Sequence, residues 1–314
     1  MRLILIALGL FVVLAGPSDA GETMITILTA TPSGIWYPLG TTLSSIYAKA
    51  IPGANVTVQA SPGSVENLRL LEAGDGELAF TLGDALADAW AGNKEGGFDD
   101  PLRKLRAVAK IYPQFLHIVA SDRSGIRMLA DLKAKHVSFG PGGSATALEA
   151  AAIFKADGFT ASDLKDFVHE PFAPSFRMVG DGALDAAVTS GGLGIGTVQH
   201  ILASGQSKLI PIPAEVVAKV GSPVYVPATI PAHTYDGQAA DVPTLSVPTF
   251  LVTREGVSDD VVYQMTKSLF DHLDQLVQTH PAAKDIDAKK AATGQPVPLH
   301  PGAERYYREA GIIK

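Results

Sequence analysis

The chain has 314 residues, 46% of them hydrophobic, which is enough for two lobes of ordinary domain size and too apolar for wholesale disorder. A formal charge of −7, with no concentrated basic run, excludes a nucleic-acid footprint and gives no long-range pull on anions, so an anionic ligand needs local recognition. The absence of cysteine excludes a disulfide framework, thiolate metal sites and a lipid-modified N-terminal cysteine.

In chain order, Arg2 precedes an apolar stretch, LILIALGLFVVLA at 3–15, of the length of a signal-peptide core and short for a membrane span. SDA at 18–20 offers small residues for cleavage, which places the cut after Ala20. An uncleaved N-terminal anchor is the alternative. Export without an anchor leads to a soluble periplasmic protein of a double-membraned bacterium, or a secreted one.

From there short apolar strands alternate with helical segments. MITIL (24–28) reads as a strand, with Pro38 at a helix start and the helix running over 39–50. NVTVQA (55–60) alternates like a strand. SVENLRLLEAG (64–74) puts Val65, Leu68 and Leu71 on one helical face, with Gly74 as its stop. ELAFTL (77–82) and DALADAWAG (84–92) give a third strand and helix, and this spacing predicts a parallel sheet with right-handed crossovers.

A long β-prone run, 105–122, carries Pro113 near its middle and reads as chain leaving one lobe for another. A second series follows, with helix at 126–135, strand at 136–140 and helix at 144–158. Strand within 183–190, helix at 196–205 and strand at 207–212 continue it. Residues 246–255 form the return path, and 258–279 read as one long helix with Ser258 as N-cap. The expected architecture is α/β, with two lobes joined by two crossing segments and a cleft between them. Residues 21–112 and 249–314 make lobe I, and 113–248 make lobe II.

Three loops rich in glycine and hydroxyl groups follow strands and precede helices: TATPSG (29–34), SPGSVEN (61–67) and GPGGSAT (140–146). A fourth, TSGGLGIG (189–196), has the same character. At such junctions the first helical N–H groups lack partners and the helix dipole adds partial positive charge. Small residues admit a ligand's oxygens, so the loops suit a carboxylate or phosphate. Each loop alone also reads as an ordinary cap or turn.

None matches a nucleotide-binding fingerprint. Trp36 and Tyr37 either pack on a ligand or seal the helix start, with Tyr37 favoured because its hydroxyl can reach out. His117, within a strand, reads as a satisfied structural histidine, and Arg69 as a surface residue. No nucleophile elbow, zinc-protease motif or catalytic cysteine is present, and HEP (169–171) and HTYD (233–236) lack metal-ligand spacing. No cofactor or metal is expected.

The segments SGIWYPLG, QASPGSVENLRLLEAGDGELAF, LHIVASDRSGIRMLADLKAKHVSFGPGGSAT, DVPTLSVPTFLVTRE and GQPVPLHPGAERYYRE occur in this order. Together they resemble the TAXI family, the substrate-binding proteins of tripartite ATP-independent periplasmic (TRAP) transporters, over essentially the whole mature chain. The resemblance implies a periplasmic binding protein-like fold of type II and no catalytic turnover. It also implies a monomer that captures a small carboxylate-bearing solute, such as a glutamate-like amino acid or a dicarboxylate. Delivery would be to a permease of a small and a large membrane subunit. Carried over by position, the ligand residues are Thr31, Ser33, Gly34 and Tyr37, then Ser61, Ser64 and Asn67, then Gly143, Ser144 and Thr146. Leu82-Gly83 stands where the family often has Gln-Ser, Gln114 replaces a frequent acid, and GGLGIGTV replaces a usual GGLP run. Losing the polar pair after the third strand implies a less polar or differently shaped ligand end. A sensory protein that presents its bound form to a receptor kinase, or an enzyme on the same scaffold, remain as alternatives.

Overall fold

The computed structural model describes residues 23–314. The signal-peptide segment and its cleavage position lie outside the described residues.

The first half of the chain builds β1 (Thr23–Leu28), α1 (Trp36–Ala50), β2 (Ala54–Gln59), α2 (Ser64–Ala73), β3 (Leu78–Leu82) and α3 (Gly83–Ala91). β2, β1 and β3 are parallel neighbours in that order. α1 begins two residues before the expected start at Pro38, which falls in its first turn, where a missing N–H costs nothing. The 17-residue β4 (Leu105–Ser121) follows as one continuous strand.

The second half builds β5 (His136–Ser138), α4 (Ala145–Ala156), β6 (Asp166–Val168), α5 (Phe172–Asp181), β7 (Ala186–Gly191), α6 (Gly196–Leu202), β8 (Ser207–Leu209) and α7 (Ala214–Val220). β7, β5 and β6 are again parallel neighbours. Within the expected 126–135 helix only a 3-10 turn forms, at Leu129–Leu132. α5 was not expected: its buried Phe172, Ser175, Phe176 and Val179 keep helical spacing, but Pro174 masks it by falling in the first turn.

β9 (Val226–Ile230) and the 13-residue β10 (Val242–Arg254) bring the chain back, and α8 (Asp259–Asp271), α9 (Leu273–Thr279), α10 (Ala288–Ala291) and α11 (Pro301–Glu309) close it. The segment read as one helix over 258–279 is broken at His272, whose φ of −127° and ψ of 31° leave the helical region. The His272 ring Nδ1–H donates to the Ser268 carbonyl at 2.9 Å. It supplies the bond that a continuing backbone amide would have made.

All ten strands form one mixed sheet in the order β2-β1-β3-β10-β4-β7-β5-β6, with β8 on β4 and β9 on β10. The antiparallel β4–β10 pair runs through the middle and carries a parallel block on either side. Pro113 sits opposite Pro248 in this pair, and the register shifts just beyond it, between Pro248 and Phe250. α8 and α9 pack back on α1, so the C-terminal segment joins the first parallel block. A large apolar core spans β1, β3, β4 and β10 and reaches Phe139, Ile153 and Phe154 of the second half. A smaller one gathers α5 and α6 on β7 around Phe176, Val179 and Val198. Among the described residues no helix is long and apolar enough to cross a membrane.

Candidate functional site

The C-terminal ends of β1, β3 and β7 and the middle of β4 surround one small cavity, of about 40 Å³, which is room for a few water molecules. Two helix N-termini meet across it. α2 starts at Gly63, whose φ of 138° and ψ of −148° belong to glycine. A Cβ there would lie 3.4 Å from Ser144, the residue that caps α4 from the opposite half. The Glu66 amide also bonds the Gly143 carbonyl at 3.4 Å, so the two mouths are in direct contact. On the far side Gly192 makes a similar approach: a Cβ there would lie 2.8 Å from Ala282 and 3.0 Å from Ile35.

Of the ten residues predicted from sequence, Gly34, Ser64, Ser144 and Thr146 line the cavity. The other six lie outside the lining, and their geometry shows why. Asn67 is fully buried, and its Nδ2 donates to the carbonyls of Thr29 at 2.7 Å and Phe80 at 2.8 Å. Ser61 Oγ lies 2.6 Å from Asn67 Oδ1 and 2.9 Å from Thr29 O, and accepts the Gly63 amide at 3.0 Å. These two side chains clamp the ends of β1 and β3 to the mouth of α2. Gly143 packs on Pro62. Thr31 and Ser33 pair with each other at 3.4 Å, and Ser33 faces a separate groove beside α5 and α6. Tyr37 is half-buried away from the cavity.

It is Trp36 that lines the cavity, stacked on Phe80 at 5.8 Å between ring centroids. Its buried indole Nε1 has no hydrogen-bond partner. Tyr112's hydroxyl, also without a partner, lies against that indole and the Gln114 carboxamide without completing a bond to either. Burial raises the Tyr112 phenol above its ordinary range, so it stays a neutral donor. All three departures from the pattern of the resembled family reach the lining, through Leu82, Gln114 and, in the glycine run, Gly191 and Ile195.

Around the rest of the cavity Thr146 offers a hydroxyl that bonds no other described residue. Ser144 Oγ donates to the Pro141 carbonyl at 2.7 Å, and Ser64 Oγ accepts the Leu82 amide at 3.1 Å. Among the described residues the amides of Ser64, Val65, Ala145 and Thr146 have no acceptor. The walls are Ile35, Leu82, Ala145, Phe172 and Ile195, and among the described residues no charged side chain lines the cavity. The arrangement therefore offers neutral N–H and O–H donors at one end and apolar surface elsewhere.

Two buried acids sit just behind this lining and were missed from sequence. Glu149, on the turn of α4 after Thr146, is fully buried and contacts Ser190 Oγ through Oε2. Burial and then the nearby Asp84 hold it well above the usual carboxylate range. Asp84, at the start of α3, accepts from the Tyr225 hydroxyl and from the Ala85 amide, each at 2.7 Å. Burial pushes it up to about 6. The sequence signal was there: Glu149 falls on the same helical face as Ala145, Thr146, Ala150 and Ile153.

His117 is satisfied by the protein, as expected. Its Nδ1–H donates to the Phe115 carbonyl at 2.8 Å, so Nε2 accepts from the Tyr235 hydroxyl at 2.8 Å. Tyr235 in turn accepts the Gly194 amide at 3.2 Å, which fixes the glycine loop after β7. Burial pulls the imidazole down to about 4. Arg69 is exposed, as expected, and its guanidinium bonds the Gly97 carbonyl. Among the described residues no group of acids and histidines has the geometry of a metal site.

Two parallel blocks threaded by a shared antiparallel pair, with a cavity where helix mouths from both blocks converge, make the two-lobed α/β fold of the type II periplasmic binding proteins. The NMT1-like family model matches residues 27–311, and the chain belongs to that family. Among solved structures it is similar to PhnD1 from Prochlorococcus marinus in complex with methylphosphonate, with a TM-score of 0.58 and 14% identity, covering 93% of this chain and 100% of that one. It is similar to the periplasmic binding protein BugD, with a TM-score of 0.57 and 14% identity over 93% of this chain and 98% of that one. A third likeness is to the alkanesulfonate-binding protein SsuA from Xanthomonas axonopodis pv. citri bound to MOPS, with a TM-score of 0.51 and 13% identity over 93% and 95% of the two chains. At these identities the likeness carries the fold.

Proposed function

We propose that the protein is a periplasmic solute-binding protein that captures a small solute with one carboxylate and an apolar remainder. The observation that carries this reading is the meeting of two helix N-termini from opposite halves at a cavity lined by neutral donors and apolar walls. A single acidic group suits the donor end, and Leu82, Phe172 and Ile195 suit an apolar substituent. A second carboxylate would meet these walls with no cation in the lining, which favours a monocarboxylate over a dicarboxylate or glutamate.

Micromolar affinity corresponds to about 8 kcal/mol. Three or four hydrogen bonds to a charged acceptor, each about 1.5–3 kcal/mol, together with apolar burial supply that. The bound form is the one in which both mouths are satisfied at once, so the solute itself selects closure.

A thermal-shift panel of monocarboxylates, dicarboxylates, methylphosphonate, alkanesulfonates and neutral sugars tests the class. A true solute at a hundred times its dissociation constant adds about 2.7 kcal/mol of stability. A response confined to sugars removes the anion reading, and one confined to phosphonate or sulfonate replaces the carboxylate. Delivery to a TRAP permease of small and large subunits rests on the TAXI resemblance. Its test is uptake into vesicles holding that permease, which should require both this protein and an ion gradient. Export through a signal peptide cut after Ala20 is checked by N-terminal sequencing of periplasmic material, and the monomer by sedimentation.

A further inference from the structure

We propose that Glu149 is a positioning residue that donates a hydrogen bond to Ser190 Oγ and so turns the Ser190 hydroxyl into a donor facing the solute. The proposal rests on the anionic-solute reading above and deepens it, by adding a proton that the protein carries together with that solute.

Four observations lead there. Glu149 is 0% exposed, yet no cation touches it. One carboxyl oxygen, Oε2, contacts Ser190 Oγ, and the other, Oε1, has no partner among the described residues. Ser190 lines the cavity, and its Oγ is the atom that meets the acid. The groups facing Glu149 from neighbouring elements do not supply positive charge. α3 presents Asp84, with Asp88 a turn further on, and the segment before β9 presents the Tyr225 hydroxyl, already given to Asp84. Lys219, on α7, is exposed at the rim of the groove between α3 and α4. Lys155, on α4 itself, is 75% exposed in its side chain and lies 3.8 Å from Glu95.

An ionised carboxylate in this place would have one donor for two oxygens and another acid nearby. A neutral acid needs far less. Burial and the Asp84 charge accordingly keep Glu149 protonated well above the usual carboxylate range. A protonated Glu149 has one O–H to give, and Ser190 Oγ is its only partner among the described residues. A hydroxyl that accepts there keeps its own hydrogen for another acceptor. If Glu149 were ionised, Ser190 would have to donate backwards, and its oxygen lone pairs would face the anion. The sign of the pH effect follows: donor geometry holds at low pH and is lost as the pH rises through the raised Glu149 titration.

The test reads the proton directly. Infrared spectra of protein carrying ¹³C-carboxyl glutamate should show a protonated-carboxyl band at pH 7, absent from Glu149→Gln and moved in frequency by Ser190→Ala. No such band, or a band indifferent to both substitutions, overturns the proposal. The pH titration of the wild-type band decides the same question if either variant misfolds. With isobutyrate as probe, Ser190→Ala should weaken binding about tenfold, while Glu149→Gln, whose amide still donates to Ser190, stays within about threefold and loses the decline at high pH. Equal weakening by both variants also overturns it. If isobutyrate fails to bind the wild-type protein, the carboxylate reading falls, and the infrared arms still decide where the proton sits.

Discussion

The mouths of α2 and α4 have similar sequences, SPGSVEN and GPGGSAT, and use them differently. At α2 the polar side chains turn inward: Ser61 and Asn67 tie together β1, β3 and the helix start, and only Ser64 reaches the cavity. At α4, Ser144 and Thr146 both reach it, and a buried acid stands one turn behind. The first mouth is a structural joint that happens to leave amides free. The second keeps Ser144 and Thr146 on the cavity. Identical residue types at a strand–helix junction thus do not reveal which side of the junction they serve.

Mutations at the two mouths separate these roles. The largest effect belongs to the joint. Asn67→Leu strips donors from two buried carbonyls and should lower unfolding free energy by about 4 kcal/mol in urea titrations. A variant as stable as the parent would make Asn67 a ligand residue after all.

Next comes acid. The folded His117 titrates at about 4, below its ordinary 6.5, so folding favours the neutral ring. Its contribution is complete above pH 6.5 and is lost as the pH falls toward 4, by about 3 kcal/mol. The difference in stability between the wild type and His117→Gln, followed over that range, isolates it. A pH-independent difference would refute the assignment.

Ser144→Asp places a negative charge in the second mouth while keeping a good N-cap. Binding of the best carboxylate in the panel should fall about a hundredfold, with the circular dichroism spectrum unchanged; retained affinity would take the α4 mouth out of the site. Thr146→Val removes a single hydroxyl and should cost about 1 kcal/mol of affinity in calorimetry, with no change in melting temperature. Tyr37→Phe should leave both quantities within about 0.3 kcal/mol, and a larger effect on binding would return Tyr37 to the lining.

Much of the fold was legible because each parallel unit announces itself by an apolar strand, a glycine or hydroxyl turn and a helical stripe. The β1–α3 series and the β5–α4 unit fall close to their expected places. Misses have local causes. The periodicity of 258–279 runs smoothly through His272, and only the ring's bond to Ser268 reveals the break. Proline in the first turn hid α5. At the site the strand–helix loops were legible, and four of the ten chosen residues line the cavity. Asn67 and Ser61 were indistinguishable from ligands, because a side chain that satisfies buried carbonyls and one that satisfies a solute are chemically alike. Trp36 lost to Tyr37 in the sequence reading because a hydroxyl looks more useful than an indole, yet the direction in which each ring leaves the first turn of α1 decides the matter. Glu149 went unseen within a run of alanines, where the eye follows the apolar stripe and passes over the one acid lying on it.

The opposed prolines of β4 and β10 carry a mechanical consequence. Neither Pro113 nor Pro248 has an amide hydrogen, so that rung of the central ladder has nothing to break when the strands twist against each other. The register shift between Pro248 and Phe250 interrupts the ladder at the same place, which concentrates compliance there. The central ladder is thus thinnest where β4 and β10 pass between the two parallel blocks.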